Sequence, residues 1–455
     1  MASSAYYYVT GAAGNQKTLT LSGWFKITDF TDATFFSYHD QVSGSSARSE
    51  IYLNASSFLV VGINPSGSSW KELTYPNKLR DPAAWYHLVV AYDTTQAVEA
   101  DRVKVYLNGN QLTASSGTYP SLNEDTGWNA NGYQHTIGRY EVSDNMYFAG
   151  CVTHVNFIDG TAYAPTAFGE FDSTSGIWIA NSSPSVTYGD EGAFFKFASG
   201  ALTTDSSGNS NTLTAVGTPT ATKDSPDNNF ATMNPLDNYY SDATFSYGNN
   251  KVVSPGDRHD FNVSTLAMNV GNGKFYSEFK LITAAGAAHC VVGISDHGYQ
   301  GSNEELSQEN YSYAYVNDGQ FRANGSYVTT GQATYTVGDI IGVAFDTENL
   351  KLYFSKNGVW QDSGDPTSGS TGTGAVSVHN IDTSPNSSSR GQGTYFFALG
   401  NWHSLGASAW ESNFGNGYFG TTAISSEGTN ASGIGKFEYD VPTGYTALST
   451  KGLNS

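Results

Sequence analysis

The chain has 455 residues, of which 21 are basic and 41 acidic, and its formal net charge at neutral pH is −20. An acidic chain without basic clusters repels phosphate backbones, which argues against nucleic acid as a partner. No apolar run approaches the roughly 18 residues that a membrane-spanning helix needs, and the 14% aromatic content supplies apolar area for folded cores.

The hydrophobic pattern predicts strands throughout the chain and almost no helix. Apolar and polar residues alternate in Leu19–Ile27, Lys274–Leu281 and Leu350–Phe354, a period of two that is typical of strands with one buried and one wet face. Trp85–Tyr92 and Ile340–Phe345 are apolar on both faces, so we expect them at the centres of their sheets. The chain is therefore predicted to be all-β and built from antiparallel β-sandwiches.

One pattern occurs twice. Val90–Thr94 is followed by a polar turn, an alternating strand and Asn108-Gly109, and Val343–Thr347 is followed by the same succession up to Asn357-Gly358. Asn-Gly supplies the two positive φ angles of a type I′ turn, which closes a tight hairpin. The copies lie about 250 residues apart, and chance similarity of two hairpins is the alternative to a repeated unit. We expect two tandem copies of one sandwich architecture.

Composition indicates the domain boundaries. Residues 201–237 are rich in Ser, Thr, Asn, Pro and Gly and show little periodicity. They are predicted to be a connecting segment between a first domain of residues 1–200 and a second of residues 238–455. Residues 361–394 form another tract, mostly of Ser, Thr and Gly. Because a loop of this length is uncommon within a compact domain, we place it at a rim of the second sandwich.

The strand residues resemble two known families. The segment Lys17–Ala180 resembles a laminin-G-like, concanavalin-A-type jelly roll through Leu19–Trp24, Trp85–Asp93, Val103–Gly109, Ile137–Arg139 and Tyr147–Gly150. Residues 243–415 resemble a SPRY domain through Gly273–Phe279, Val291–Ser295, Gly338–Asp346 and Leu352–Trp360. Both families are sandwiches, so the resemblance implies two tandem concanavalin-A-like jelly rolls.

The joining segments resemble structural proteins of marine tailed phages. The blocks that carry this resemblance are Ala12–Thr18, Phe168–Asp172, Gly176–Trp178, Asp205–Asn209, Asp224–Leu236 and Val441–Leu448. In that group, such blocks join a laminin-G-like domain to a SPRY domain. The resemblance implies a virion protein, commonly labelled tail fibre or fibre-like, whose partners are other phage virion proteins.

The sequence contains no complete catalytic set. Retaining glycosidases of the concanavalin-type fold use Glu-x-Asp-x-x-Glu, and three stretches begin this pattern without completing it: Glu99-Ala-Asp101, Glu170-Phe-Asp172 and Glu438-Tyr-Asp440. The nine histidines lack zinc-binding spacing, and we interpret His87 and His154 as hydrogen-bonded strand residues. We therefore predict no catalytic residue and no enzyme activity. A polysaccharide-degrading enzyme of unfamiliar type on this fold is the alternative.

Three further features bear on redox chemistry and metals. Cys151 and Cys290 are the only cysteines, and both lie in apolar strand-like runs. We interpret them as core residues rather than as a disulfide or a zinc site. Because laminin-G-like domains often hold Ca²⁺ at a loop rim, Asp144-Asn145 is our calcium candidate, with an ordinary polar turn as the alternative. No cofactor is expected to be required.

Binding through aromatic faces is the chemistry that the sequence favours. Sugar rings stack on Trp and Tyr, while polar side chains and backbone groups bind the hydroxyls. The ligand-binding candidates are aromatic residues in loop-like stretches, namely Trp70, Trp128, Tyr133, Tyr299, Trp360, Trp402 and Trp410. Packing under a neighbouring loop or against another subunit is the alternative at each position. Trp24 and Trp85 lie in strands and are interpreted as core.

The resemblance and the missing catalytic sets together imply a non-enzymatic protein on the exterior of a phage particle. It would bind a host surface glycan or receptor through sandwich-rim loops, as a homo-oligomer that is a trimer by analogy with fibres. A capsid-decoration or head-fibre protein, which contacts other virion subunits, is the alternative. A secreted adhesin is a third interpretation, which the lack of a signal-peptide pattern in Met1–Tyr8 disfavours.

Overall fold

The structure is a computed structural model that describes residues 5–30, 33–39, 48–64, 70–140, 146–238, 242–286, 289–297, 305–308, 311–323, 325–380, 393–401 and 406–455. The chain divides into two compact units, the first comprising residues 1–221 and 225–227 and the second residues 222–224 and 228–455. Strands that pair almost entirely antiparallel build both units, so the all-β prediction is confirmed. Within the described residues, no helix is long and apolar enough to cross a membrane.

The first unit contains sixteen strands and two short 3₁₀ helices in its described part. The strands are β1 Tyr6–Thr10, β2 Thr18–Ile27, β3 Thr34–His39, β4 Arg48–Leu53, β5 Phe58–Asn64, β6 Lys71–Lys78, β7 Trp85–Asp93, β8 Val103–Leu107, β9 Asn110–Gln111, β10 Ser116–Gly117, β11 Gln134–Ile137, β12 Gly150–Asp159, β13 Gly169–Phe171, β14 Trp178–Ala180, β15 Ala193–Phe195 and β16 Thr214–Val216. The 3₁₀ helices are Glu99–Asp101 and Pro165–Ala167.

Two sheets enclose the core of the first unit. The eight-stranded sheet has the order β10-β6-β5-β4-β3-β11-β1-β16, and the six-stranded sheet has the order β15-β12-β2-β7-β8-β9. Alternate residues of each strand point between the sheets and bury an aromatic-rich core, which includes Phe25, Phe36, Tyr38, Tyr92 and Trp128. The strand predicted to be central, β7, lies between β2 and β8 as expected.

The small hairpin β13–β14 packs on the outer face of the six-stranded sheet. Its Trp178 donates an indole N–H to His87 Nδ1 at 2.9 Å, and Trp24 stacks on the other side of the imidazole. Because His87 Nδ1 accepts, the proton lies on Nε2, which faces Ser22 Oγ at 2.9 Å. Burial lowers the pKa of His87 to about 3, so this ring is neutral. The interpretation of His87 as a hydrogen-bonded strand residue is confirmed.

The second unit contains eighteen strands and three 3₁₀ helices in its described part. The strands are β17 Thr244–Ser246, β18 Lys251–Ser254, β19 Asp260–Val263, β20 Met268–Asn269, β21 Lys274–Ala284, β22 Cys290–Ser295, β23 Ser312–Val316, β24 Gln320–Ala323, β25 Ser326–Thr330, β26 Ile340–Asp346, β27 Lys351–Lys356, β28 Val359–Trp360, β29 Val376–Ser377, β30 Thr394–Asn401, β31 Ser408–Asn413, β32 Tyr418–Phe419, β33 Thr422–Ala423 and β34 Thr446–Ala447. The 3₁₀ helices are Gln361–Ser363, Gly369–Thr371 and Gly452–Asn454.

Two sheets also form the second sandwich. One runs β17-β18-β31-β21-β26-β27-β28, with β29 beside β27 and β34 beside β21, and the other runs β19-β30-β22-β23-β24-β25, with β20 beside β30. Cys290 belongs to the core between them, as predicted, whereas Cys151 of the first unit is half-buried beside Trp24. Neither cysteine forms a disulfide.

The repeated sequence pattern forms the same local structure in both units. Asn108 and Asn357 have φ angles of 47°, and each is followed by a glycine of positive φ in a two-residue hairpin loop, as predicted. The Asn108 amide oxygen accepts the N–H of His87 at 2.8 Å, and the Asn357 amide oxygen accepts the N–H of Ile340 at 2.9 Å. These matching contacts favour a repeated architecture over chance similarity.

The tracts predicted to be a connecting segment and a loop carry ordered structure. Part of residues 201–237 belongs to the first unit, where β16 pairs with β1, and part belongs to the second, where Phe230 is buried. In the tract 361–394, β29 pairs with β27, and residues 381–392 lie outside the described residues. Both tracts are poor in apolar residues, so periodicity could not reveal the backbone pairing.

The segment near the C-terminus packs on the outer face of the nine-stranded sheet around a buried carboxylate. Glu278 is fully buried on β21, and its oxygens accept the backbone N–H groups of Glu438 and Tyr439, both at 2.8 Å. Tyr276 Oη at 3.1 Å and Asn413 Nδ2 at 3.3 Å are further donors. Burial raises the pKa of Glu278 to about 7 against these hydrogen bonds. Glu278 therefore anchors the C-terminal segment.

Replacement of Glu278 should destabilise the second unit. Glu278→Ala leaves two buried backbone N–H groups without an acceptor, so we expect a loss of about 2–4 kcal/mol in the free energy of unfolding. Glu427→Ala removes a carboxylate of the same segment that forms an exposed ion pair with Lys436, and should cost less than about 1 kcal/mol. Urea denaturation measures both changes, and equal losses would contradict the anchoring role.

Candidate functional site

A row of polar and small residues crosses the outer face of the eight-stranded sheet of the first unit. Direct cross-strand pairs connect six strands in succession, and the row consists of Glu72, Gly62, Glu50, Ser37, Thr136 and Tyr8. Neighbouring residues on the same strands, such as Val61, Ile51 and Phe36, point into the core. The row therefore faces away from the core, and we call it the polar row.

Trp70 lies on the polar row at Gly62. A Cβ atom at position 62 would stand 2.1 Å from the indole, so the absence of a side chain provides the space that this ring occupies. Trp70 Nε1 donates to Glu72 Oε2 at 2.6 Å. The Arg48 guanidinium carbon lies 4.4 Å from the centre of the indole ring and 5.8 Å from that of Tyr140. Trp70 and Arg48 therefore form a cation–π stack, and the hydrogen bond to Glu72 holds the indole ring in place.

Glu50 is the buried charge of this cluster. Its side chain is 5% exposed, and its Oε1 lies 3.4 Å from Arg48 Nε. Burial raises the pKa of Glu50 to about 7, the charge of Glu72 adds to this effect, and Arg48 and Tyr140 oppose it. This raised pKa brings the titration of Glu50 towards the neutral range. Its carboxyl group can therefore donate or accept a hydrogen bond.

A second arginine–aromatic stack lies at the other end of the polar row. The hydroxyls of Ser37 and Thr136 hydrogen-bond to each other at 2.6 Å, and both oxygens lie 2.9 Å from the carbonyl oxygen of Arg139. The Arg139 guanidinium carbon is 4.0 Å from the centre of the Tyr6 ring, and Tyr8 is a ring neighbour of Tyr6 at 6.3 Å. Ser37 and Thr136 are 1% exposed and Arg139 is 8% exposed, so the partly exposed phenol rings of Tyr6 and Tyr8 are the groups that a ligand can reach at this end.

The arrangement suits the binding of a polyhydroxylated ligand. Guanidinium and hydroxyl groups donate hydrogen bonds, carboxylates accept them, and aromatic rings pack against C–H faces. Glu50 and Glu72 are separated by the intervening strand β5, about 9–10 Å between their Cα atoms. The Trp70 indole covers Gly62, which lies between these two residues in the row.

Trp70 is the predicted aromatic candidate that belongs to this surface. Tyr133 is half-buried with its ring edge against Tyr38 at 5.4 Å, and Trp360 is half-buried against Tyr276 at 6.4 Å. Tyr299 and Trp402 lie outside the described residues, as do Asp144 and Asn145 of the calcium candidate. For these positions the sequence-based predictions stand as predictions.

Two candidates were placed wrongly in exposed loops. Trp410 is 0% exposed because it occupies an inward position of β31, where it packs against Tyr335. Trp128 is 1% exposed because its ring packs beside Tyr38 in the first core. Single tryptophans in polar stretches do not show which way they point, so the sequence could not separate these two from Trp70.

Arg48, Glu50, Glu72, Tyr140 and Arg139 are site residues that the sequence reasoning missed. In β6, Glu72 and Thr74 alternate with apolar residues, which signals an outer face and could have assigned Glu72 to the outside of a sheet. β4 begins with three consecutive polar residues, so it gives no such signal for Glu50. The sequence could not show that the two glutamates lie in one row, because this depends on the pairing of β4, β5 and β6.

The aspartates of the three incomplete carboxylate motifs each have a partner within their own unit. Asp101 pairs with Lys104 at 3.0 Å, Asp172 binds Ser175, and Asp440 binds Thr429. His154, the other strand histidine, lies at a bulge of β12 and contacts the hydroxyl of the preceding threonine at 3.0 Å, as interpreted. Within the described ranges, no three His, Cys, Asp or Glu side chains are grouped to hold a metal ion.

The charge of Arg48 should control the titration of Glu50. Arg48→Gln removes the cation that opposes burial, so the pKa of Glu50 should rise above its value of about 7, whereas Arg48→Lys should leave it closer to that of the wild type. Carbon-13 NMR of the labelled glutamate carboxyl measures the pKa. Because the folded state raises this pKa, the contribution of Glu50 to stability is full below about pH 4.5 and is lost as the pH rises through 7. A wild-type Glu50 that titrates near 4.5 would contradict this description.

Solved structures with similar folds have low sequence identity to the chain. The SPRY domain of human HERC1 is 14% identical with a TM-score of 0.29, and the match covers 40% of this chain and 96% of that one. A heptameric SAP-like pentraxin from Limulus polyphemus is 15% identical with a TM-score of 0.27, covering 39% and 86%. The CBM40 of Ruminococcus gnavus IT-sialidase, bound to alpha2,3 sialyllactose, is 13% identical with a TM-score of 0.24, covering 31% and 86%.

Two domain families match separate parts of the chain, one in each unit. Residues 2–165 match the Laminin_G_3 family of the concanavalin A-like lectin/glucanases superfamily, and residues 274–377 match the SPRY domain. No curated protein matches the chain. The two resemblances inferred from the strand residues are thereby confirmed. The chain is thus similar to a concanavalin A-like lectin/glucanase domain over residues 2–165 and to a SPRY domain over residues 274–377.

Proposed function

We propose that this protein binds glycans at the polar row, through the Trp70–Arg48 stack and the phenol rings of Tyr6 and Tyr8. The observation that carries the proposal is the Trp70–Arg48 stack held over Gly62, with Glu50 and Glu72 on either side. A sugar needs such a combination, because each ring presents both a C–H face and several hydroxyls. The site lies on a sheet face, which differs from the rim-loop site proposed from the sequence.

The charges of the polar row favour a ligand with many hydroxyls over a simple ion. Arg48 is already paired with Glu50, and Trp70 Nε1 is already paired with Glu72. The Arg48 guanidinium carries further N–H groups, which suit several hydroxyl groups of a ligand rather than one strong charge. The carboxyl group of Glu50, whose pKa is raised by burial, can either donate or accept a hydrogen bond.

Replacement of Trp70 should weaken glycan binding. Trp70→Ala removes the ring on which Arg48 stacks and leaves Glu72 without its indole donor, so we expect affinity for the bound glycan to fall by about tenfold or more. A glycan array identifies the ligand, and titration calorimetry measures the affinity. Tyr327→Ala is the matched control, because it removes an exposed ring that lies 5.2 Å from Arg322 in the second unit.

Two results would overturn this proposal. One is a wild-type protein that binds no glycan on a broad array at neutral pH. The other is an unchanged affinity in a folded Trp70→Ala variant. Thermal denaturation of both variants distinguishes loss of the site from loss of the fold.

We also propose that the glycan belongs to a host cell surface and that the protein lies on the exterior of a tailed-phage particle. The support is the resemblance of the joining segments to phage structural proteins. Many copies on one particle, as homo-oligomers, would convert weak sugar contacts into strong attachment. The proposal includes no catalytic step and no required cofactor. Release of sugar from host polysaccharide by the purified protein would contradict the binding role.

The hairpin β13–β14 supports the alternative role in capsid decoration. It exposes three large apolar residues, Phe171 at 50%, Ile177 at 64% and Ile179 at 37%. Exposed apolar groups this close together favour a protein contact, and the partner in this role is another virion subunit.

Localisation in the particle separates the two roles. If the protein is a fibre that binds the host, gold-labelled antibody should mark the tail, and free protein should compete with phage adsorption. Antibody on the capsid, with no competition by free protein, would favour decoration and contradict host attachment.

A further inference from the structure

One end of the interior of the second sandwich is lined by polar side chains. Asp260 and Asn401 are direct partners across β19 and β30, and Ser254 and Ser408 are direct partners across β18 and β31. Residues two positions away on β18, β30 and β31 belong to the core, so these side chains point between the two sheets. All four are 0% exposed. We call these four residues the polar cage.

The polar cage contains acceptor atoms that are not satisfied. Both carboxylate oxygens of Asp260, the hydroxyls of Ser254 and Ser408, and Oδ1 of Asn401 make no hydrogen bond of good geometry within the described residues, although the Ser254 hydroxyl and the Asn401 backbone N–H lie near the Asp260 carboxylate. The orientation of the Asn401 amide is fixed, because its Nδ2 donates to the carbonyl oxygens of Pro255 at 3.1 Å and Gly406 at 3.2 Å. Its oxygen is therefore the atom left over.

The protein alone compensates the burial of the Asp260 carboxylate only in part. Burial raises the pKa of Asp260 to about 8, although the Ser254 hydroxyl, the Asn401 N–H and the charge of Arg258 all lower it. Arg258 itself is partly exposed and paired with Asp257 at 2.9 Å. A buried carboxylate without a counter-charge is strongly unfavourable. Either a proton or a cation has to accompany Asp260.

We propose that the polar cage binds a hard cation, with sodium as the ion of matching charge. Carboxylate, hydroxyl and amide oxygens are the donors that hard cations prefer, and the cage presents all three types. Asp260 supplies the one negative charge, and Ser254, Ser408 and the Asn401 oxygen supply neutral ligands. The ion joins the ends of strands from both sheets, so its binding stabilises the second unit. This inference is independent of the glycan site.

Thermal denaturation of the full chain in different salts tests the proposal. At equal ionic strength, replacement of choline chloride by sodium chloride should raise the transition temperature of the second unit. When the ion concentration is ten times its dissociation constant, the transition temperature should rise by about 3–6 °C. Asp260→Asn keeps the shape of the side chain and removes its charge, so it should abolish the shift. Asp257→Asn, at an exposed carboxylate three residues away, should retain it.

Each outcome supports or contradicts the binding of a cation by the polar cage. A shift with sodium, or with millimolar calcium in place of sodium, that depends on Asp260 supports a cation site. Equal transition temperatures of the wild type in sodium, calcium and choline would show that a proton neutralises Asp260, and would overturn the proposal. So would a shift of equal size in Asp260→Asn. The wild-type comparison decides the question even if that variant does not fold.

Discussion

Alternate side chains of a β-strand point to opposite faces of its sheet, so a sheet that buries one face in a core leaves a second face to be accounted for. This constraint explains most features of both units. Trp178 covers part of the six-stranded sheet of the first unit, and Glu278 anchors a segment on the nine-stranded sheet of the second. The eight-stranded sheet is different, because its outer face carries the polar row with Trp70 and Arg48.

Three buried carboxyl groups show how the same physical cost is met in different ways. Burial raises the pKa of Glu50, Glu278 and Asp260 alike. Glu50 is offset by a neighbouring guanidinium, and Glu278 by two backbone N–H groups and two side chains. Asp260 is offset only in part, by the Ser254 hydroxyl, the Asn401 N–H and the charge of Arg258. All three groups are buried, and they differ in what compensates the cost of burial. Glu50 therefore belongs to the candidate binding site, Glu278 is a structural anchor, and Asp260 belongs to the inferred ion site.

Local patterns predicted the elements of the fold that depend on neighbouring residues in the chain. The alternation in β2 and β21, the apolar runs of β7 and β26, and the Asn-Gly turn signals all indicated strands and hairpins that the structure contains. Strands of two or three residues, such as β16 and β29, are too short to give such a signal. They are held by backbone hydrogen bonds to strands far away in the sequence, which no local periodicity reports.

The sequence by itself determined that the chain is all-β, that one hairpin pattern occurs twice, and that the strand residues resemble a concanavalin A-like and a SPRY domain. These properties follow from residue spacing within single strands and turns. Only the tertiary structure decided that Trp70 lies on the surface with Arg48 while Trp128 and Trp410 are core residues, and that Glu50 and Glu72 share one row. The reason is register, because a site on a sheet face is composed by pairing between strands, and a one-residue shift would turn each of these side chains to the opposite face.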